Sequence, residues 1–246
     1  ALGPDGKVYI CNNGGFEWRE IMGQTISGDA AADYCGGSIE RVDLASGSVE
    51  TLYTHCDGHP LKGPNDLVFD RTGGFWFTDH GKSWGRMRDY GGLYYASADG
   101  SRIVEAAYPM YSANGVGLSP DEKTLFVAET MTARLWAFDL DAPGVVAPSA
   151  LPIPGRIVAT LPGLQLLDSL AIEADGRVCV ATLLNGGVTT FSPEGAHEHL
   201  ALPDLFPTNI CFGGADRRDA YVTLSGTGRV AKLRWPRPGL KLNFGP

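Results

Sequence analysis

Apolar residues in this chain come in short blocks cut by Gly, Asp and Pro, not at the three-and-four spacing of a helix face. Five stretches share one grammar, an apolar strand, a turn rich in Asp and Gly, and a second apolar strand: ALGPDGKVYICNN, DLVFDRTGGFWFTDHG, GVGLSPDEKTLFVAET, SLAIEADGRVCVATLLN and ICFGGADRRDAYVTLSG. Each runs on into a third strand: GSIERVDL, GGLYYAS, ARLWAFDL, GGVTTFS and GRVAKLRW. In the first four a more polar fourth strand follows: SVETLYT, RIVEAAY, GRIVATL and HEHLALP. Four antiparallel strands repeated at a period of roughly 40 to 65 residues predict the blades of a β-propeller. The expected fold is therefore all-β, with about five blades in a single domain over residues 1–246. Two stretches stand outside the pattern: TISGDAAADYCGG, expected as a long loop of the first blade, and PGVVAPSALPIPGR, a Pro-rich excursion in the third.

The turn of each repeat carries a marker at Gly6, Gly73, Glu122, Gly176 and Asp216. Eight residues before the last four stand Asn65, Asn114, Asp168 and Thr208, with Asn209 beside the last. A polar amide or carboxylate thus recurs at a fixed offset, just ahead of each innermost strand. Symmetry carries that position to one height on the central axis, so these side chains converge at one mouth of the channel. Local turn chemistry explains one such residue; it does not explain three at one offset. The same mouth collects the loops between second and third strands, which bring Asn12, Asn13, Glu17, Asp79, His80, Glu129, Asn185 and Ser225. The turns PDG, RTGG, PDEK, EADG and GADRR fall at the other mouth.

A net charge of −8 is the wrong sign for a nucleic-acid binder. No run of about 18 apolar residues offers a membrane-spanning helix. The five cysteines form no C-x-x-C pair, and an odd count leaves a thiol free, which points to a reducing, cytoplasmic location. Cys179 and Cys211 read as small core residues; a Cys35–Cys56 disulfide is left open. His55 and His59 lie in a loop, and His197 and His199 on an exposed outer strand, so none reads as a ligand. No G-x-S-x-G, G-x-G-x-x-G or P-loop is present, which removes a nucleophile elbow and nucleotide cofactors.

The motifs GPNDLVFDRTGGFWFTD, SANGVGLSPDEKTLFVAET, LDSLAIEADGRVCVAT and PTNICFGGADRRDAYVT resemble the SMP-30/gluconolactonase/LRE-like (regucalcin-like) family. The resemblance implies a six-bladed propeller with one divalent cation in the channel, held by an early Glu, an Asn and an Asp, with a second Asn in some members. It places Asn114 and Asp168 as metal ligands and Asn65 as a further ligand or a substrate contact. The family's Glu-bearing blade would fall before residue 1, so a blade at the N-terminal side is expected to be missing from this sequence. Asn and Asp oxygens suit Ca²⁺, and alternatively Mg²⁺, Mn²⁺ or Zn²⁺. The implied activity is hydrolysis of a small sugar lactone, assisted by the cation as a Lewis acid. Asp168 would hold the attacking water or take its proton, and Asn65, His80, Asn12 and Asn185 would hold sugar hydroxyls. His80 could instead protonate the leaving oxygen. Three other readings stay open: another metal-dependent ester or organophosphate hydrolase on the same site, a non-catalytic propeller that binds Ca²⁺ or a partner, and a strictosidine-synthase-like lyase. The oligomeric state is not legible.

Overall fold

The five repeats become five antiparallel sheets, set side by side in chain order. The computed structural model describes residues 1–21, 23–149 and 155–245. Blade two is Pro64–Phe69, Gly74–Asp79, Gly91–Ser97 and Ile103–Met110. Blade three is Ala113–Leu118, Thr124–Glu129, Arg134–Ala142 and Arg156–Thr160. Blade four is Leu166–Ile172, Val178–Leu183, Gly187–Phe191 and His197–Ala201. Blade five has three strands, Pro207–Gly213, Asp219–Leu224 and Arg229–Arg234. The only helical turn among the described residues is Ser225–Thr227.

Blade one departs from expectation. Its sheet has three strands, Val8–Asn12, Ser38–Val42 and Val49–Tyr53. The stretch expected as its inner strand contributes only a bridge from Leu2 to Val8. Part of the segment expected as a loop is instead a β-hairpin, Phe16–Ile21 against Gln24–Ala30. In the Pro-rich excursion, Val145–Val146 folds back on the preceding strand, while residues 150–154 lie outside the described residues.

The sheets of blades two, three and four lie between neighbours and bury both faces, which is why FWF in blade two is apolar throughout instead of alternating. Phe75 and Phe77 face blade one with Tyr9, Ile39 and Tyr94; Trp76 faces blade three with Leu125, Val127 and Trp136. Phe126, Leu135, Leu170 and Phe191 join blades three and four, and Cys179, Val188, Ile210, Val222 and Trp235 join blades four and five. Each large side chain so buried is worth about 2–3 kcal/mol of transfer free energy. Cys211 is a correction. Ile210 on the same strand turns to blade four, so its neighbour Cys211 turns the other way and is exposed. All five thiols are free, including Cys35 and Cys56.

After blade five the chain crosses the back end of the channel. Glu173 in blade four anchors it, accepting from Trp235 Nε1 at 2.6 Å, from Arg237 Nε, and from Cys179 Sγ at 3.2 Å. Leu240 N then donates to Ile172 O at 2.8 Å, and Asn243 Nδ2 to Phe69 O at 3.0 Å and Glu122 Oε1 at 2.8 Å.

Candidate functional site

The fixed offset seen in the sequence is a β-bulge. The register of the inner strand slips between Pro64 and Leu67, between Ala113 and Val116, between Leu167 and Leu170, and between Pro207 and Asn209. A bulge releases residues from the ladder and re-aims their side chains. Here it releases Asn65 and Asp66, Asn114 and Gly115, Asp168 and Ser169, and Thr208, all at the same end of four consecutive inner strands.

Four of these residues, Asp66, Asn114, Asp168 and Ser169, come together. Asn114 is buried, and its amide donates to Thr130 Oγ1 at 3.0 Å and lies beside the Asp168 carboxylate. Asp168 Oδ1 accepts from Ser169 N at 2.9 Å, and the Ser169 side chain in turn lies beside the Asp66 carboxylate. Asp66 Oδ1 accepts from Leu67 N at 2.8 Å and Oδ2 from Val116 N at 3.4 Å. Thr78 links the bulges of blades two and three: its hydroxyl donates to Asn114 O and accepts from Asp66 N at 3.2 Å. Desolvation pushes the Asp168 carboxyl up to about 7, with the nearby Asp66 charge adding to the rise. Desolvation likewise lifts Asp66 to about 6. Asn114 Oδ1 is buried and accepts no hydrogen bond.

An orphaned buried amide oxygen beside two desolvated carboxylates is a set of hard oxygen donors short of positive charge. The chemistry fits a divalent cation of the Ca²⁺, Mg²⁺ or Mn²⁺ type. Asn65 is half-buried and its amide makes no side-chain hydrogen bond, so it is available beside Asp66.

Other candidates are placed differently. His80 lies in the wall: its ring packs against the Ala113 backbone, its Nδ1 is buried with no partner, and desolvation and the Arg88 charge push it down to about 3. Asn12 is exposed, giving Nδ2 to Glu40 Oε1 at 2.8 Å and taking Gly14 N at 2.9 Å. Asn185 is exposed at its hairpin turn, with its backbone beside His199 of the outermost strand. Asp79 caps a loop, accepting from Lys62 N, Gly63 N and Gly81 N at 2.7, 2.7 and 2.8 Å. Glu129 is held by Tyr111 N at 2.6 Å, Trp136 Nε1 at 3.1 Å and the Thr132 hydroxyl. Glu17 is exposed on the hairpin, 3.6 Å from Arg19. His55, His59, His197 and His199 are exposed.

Sequence reasoning passed over Asp66 and Lys82. Strand alternation turns Asp66 away from the face of Asn65, and only the bulge undoes that. Lys82 is fully buried, with Nζ 2.6 Å from Gly15 O, 3.3 Å from Asn13 Oδ1 and 3.5 Å from the Phe16 ring centroid. It ties the hairpin of blade one to blade two. Below the bulges the channel widens into a cavity of about 450 Å³, walled by Val116, Leu118, Ile172 and Ile210 and floored by Leu240 and Phe244.

A family model described as "SMP-30/Gluconolactonase/LRE-like region" matches residues 1–226. The Lactonase drp35 of Staphylococcus haemolyticus is 34% identical over 198 residues, covering 78% of this chain and 51% of that protein. The drp35 lactonase of Staphylococcus aureus strain MRSA252 is 32% identical over 193 residues, covering 78% and 52%. The chain thus spans about half the length of the curated relatives it matches. Among solved structures, a gluconolactonase from Xanthomonas campestris aligns with a TM-score of 0.72 at 22% identity, over 96% of this chain and 71% of that one. A calcium-binding protein, regucalcin, from Agrobacterium tumefaciens aligns with a TM-score of 0.66 at 17% identity, over 92% and 78%. At those identities the structures speak for the fold alone. No described helix is long and apolar enough to cross a membrane. The sequence motifs, the repeated blades and the family match over most of the chain agree: the chain belongs to the SMP-30/gluconolactonase/LRE-like family.

Proposed function

We propose that the chain is the catalytic propeller of a lactonase that opens small sugar lactones with the help of one divalent cation, Ca²⁺ being the first candidate. The observation that carries this reading is the unsatisfied Asn114 oxygen beside the Asp66 and Asp168 carboxylates. The relatives named lactonases and the family to which the chain belongs favour the lactone. Asn114, Asp168 and Asp66 would hold the cation, with Asn65 as a further oxygen. A cation there supplies Lewis-acid polarisation of the lactone carbonyl.

The chain's own groups do the rest. Asp168 would orient the attacking water by accepting its hydrogen bond and could receive its proton, though any cation bound to it weakens it as a base. Asp66 supplies a second negative charge at the site, which neither Glu17 nor Glu129 is placed to give. His80 stays neutral through the physiological range and its free ring nitrogen is buried in the wall, so it does not act as the acid for the leaving oxygen and is not placed for the task of holding a sugar hydroxyl. Asn65 has a free amide for the same task.

The test is lactone hydrolysis followed with a pH indicator, with and without chelator, over a panel of sugar lactones, aryl esters and phosphotriesters. Sugar-lactone turnover that a chelator abolishes, and that Asp168→Asn removes, is expected. Turnover indifferent to chelator, or intact in Asp168→Asn, sinks the reading.

A further inference from the structure

Ser112, two residues before Asn114, is fully buried and sits at φ 69°, a left-handed conformation that strains a non-glycine residue. Something must hold it there. Its carbonyl accepts from Thr130 N at 3.0 Å, and its hydroxyl accepts from Arg88 Nε at 3.0 Å. The same guanidinium donates to His80 O at 3.2 Å and to the Ser83 hydroxyl. The His80 ring, in turn, packs against the Ala113 backbone. Arg88 is thus the hub of a clasp that grips the chain at Ser112, directly and through His80 at Ala113, just before the bulge begins. Its planar fork of donors suits three oxygens in fixed directions, which a lysine does not reproduce.

We propose that Arg88 is a positioning residue: by holding Ser112 in its strained conformation, it aims the Asn114 oxygen at the cation site. This rests on the cation site proposed above. Arg88 touches neither the donors nor substrate. Its charge is also of the wrong sign to attract a cation, which separates the two explanations of its effect. If Arg88 acted only through charge, removing it would tighten cation binding. If it positions Asn114, removing it weakens binding.

The experiment measures Ca²⁺ affinity by calorimetry for the chain and for Arg88→Met, Arg88→Lys, Ser112→Gly and the Arg88→Met/Ser112→Gly double variant, with metal-free melting recorded for each. The Asn114 side-chain amide resonance is followed in the same proteins. Loss of a group that orients a ligand typically weakens metal binding about 10- to 100-fold, and that loss is expected for both Arg88 variants. Glycine adopts the left-handed conformation without strain, so the double variant should recover most of the affinity and the wild-type Asn114 resonance. Unchanged or tighter binding in Arg88→Met, or a double variant as weak as Arg88→Met, overturns the proposal. A wild-type chain that binds no Ca²⁺ sinks the functional reading. The Asn114 resonance then decides the positioning role alone: it must move in Arg88→Met and return in the double variant.

Discussion

Gly115 lies so close to Leu170 that a Cβ on it would stand 2.6 Å from the Leu170 amide nitrogen and 2.7 Å from Asp168 O. The bulges of blades three and four are therefore in backbone contact, and that contact brings Asn114 to Asp168. Neither backbone neighbour is free to move aside. Gly115→Ala should cost about 1–3 kcal/mol through overpacking, lowering the melting temperature by several degrees, and should weaken Ca²⁺ binding at the same time. A melt unchanged from wild type would show that the two strands can part.

Asp168 and Asp66 repel each other in the absence of a cation. Asp168→Asn removes that repulsion. The metal-free variant should melt higher than the wild type at pH 7, by a few degrees, while losing the stabilisation that Ca²⁺ gives the wild type. Thermal melts with and without Ca²⁺ check both halves.

The same pair fixes a pH dependence. Both carboxyls are raised in the folded chain, to about 7 for Asp168 and about 6 for Asp66, above the ordinary aspartate value of 3.8. The folded state then binds protons that the unfolded state has released. Their contribution to stability is complete below about pH 4 and is lost as pH rises through 6 and 7. The metal-free contribution should fall across that window, each pKa unit being worth about 1.4 kcal/mol. Ca²⁺ requires both carboxylates ionised, so its stabilisation should be larger at pH 7.5 than at pH 5. Denaturant melts of proteins at those two pH values, with and without Ca²⁺, measure it.

Lys82 holds the blade-one hairpin by its bond to Gly15 O and its seat over Phe16. Burial pushes its pKa down to about 8, with the Asp79 charge opposing the fall and the Arg88 charge adding to it. Lys82→Ala should cost about 2–4 kcal/mol, as for other large-to-small changes at buried sites, and free the hairpin. Limited proteolysis should then cut within residues 16–30 first. Cleavage there at the wild-type rate would mean that the hairpin is held elsewhere.

Much of the candidate site was legible because the repeat is regular: Asn65, Asn114 and Asp168 stand at one offset, and that offset turned out to be the bulge. Asn12 and Asn185 share the loops of the same mouth, yet the hydrogen bond to Glu40 holds Asn12 at the surface and Asn185 stands exposed at its hairpin turn. Loop membership fixes the end of the molecule and not the direction of a side chain.

The sequence alone determined the blades, since Asp–Gly turns and doubly apolar strands permit little else, and with them the end of the channel where polar groups gather. Tertiary structure decided which polar groups act together. It made a strand of Gln24–Ala30, turned Cys211 outward and brought Asp66 into the site. Strand formation depends on neighbours a few residues away. The bulge at Asp66, the burial of Lys82 and the clasp at Arg88 depend on contacts between blades far apart in the chain, which no local pattern records.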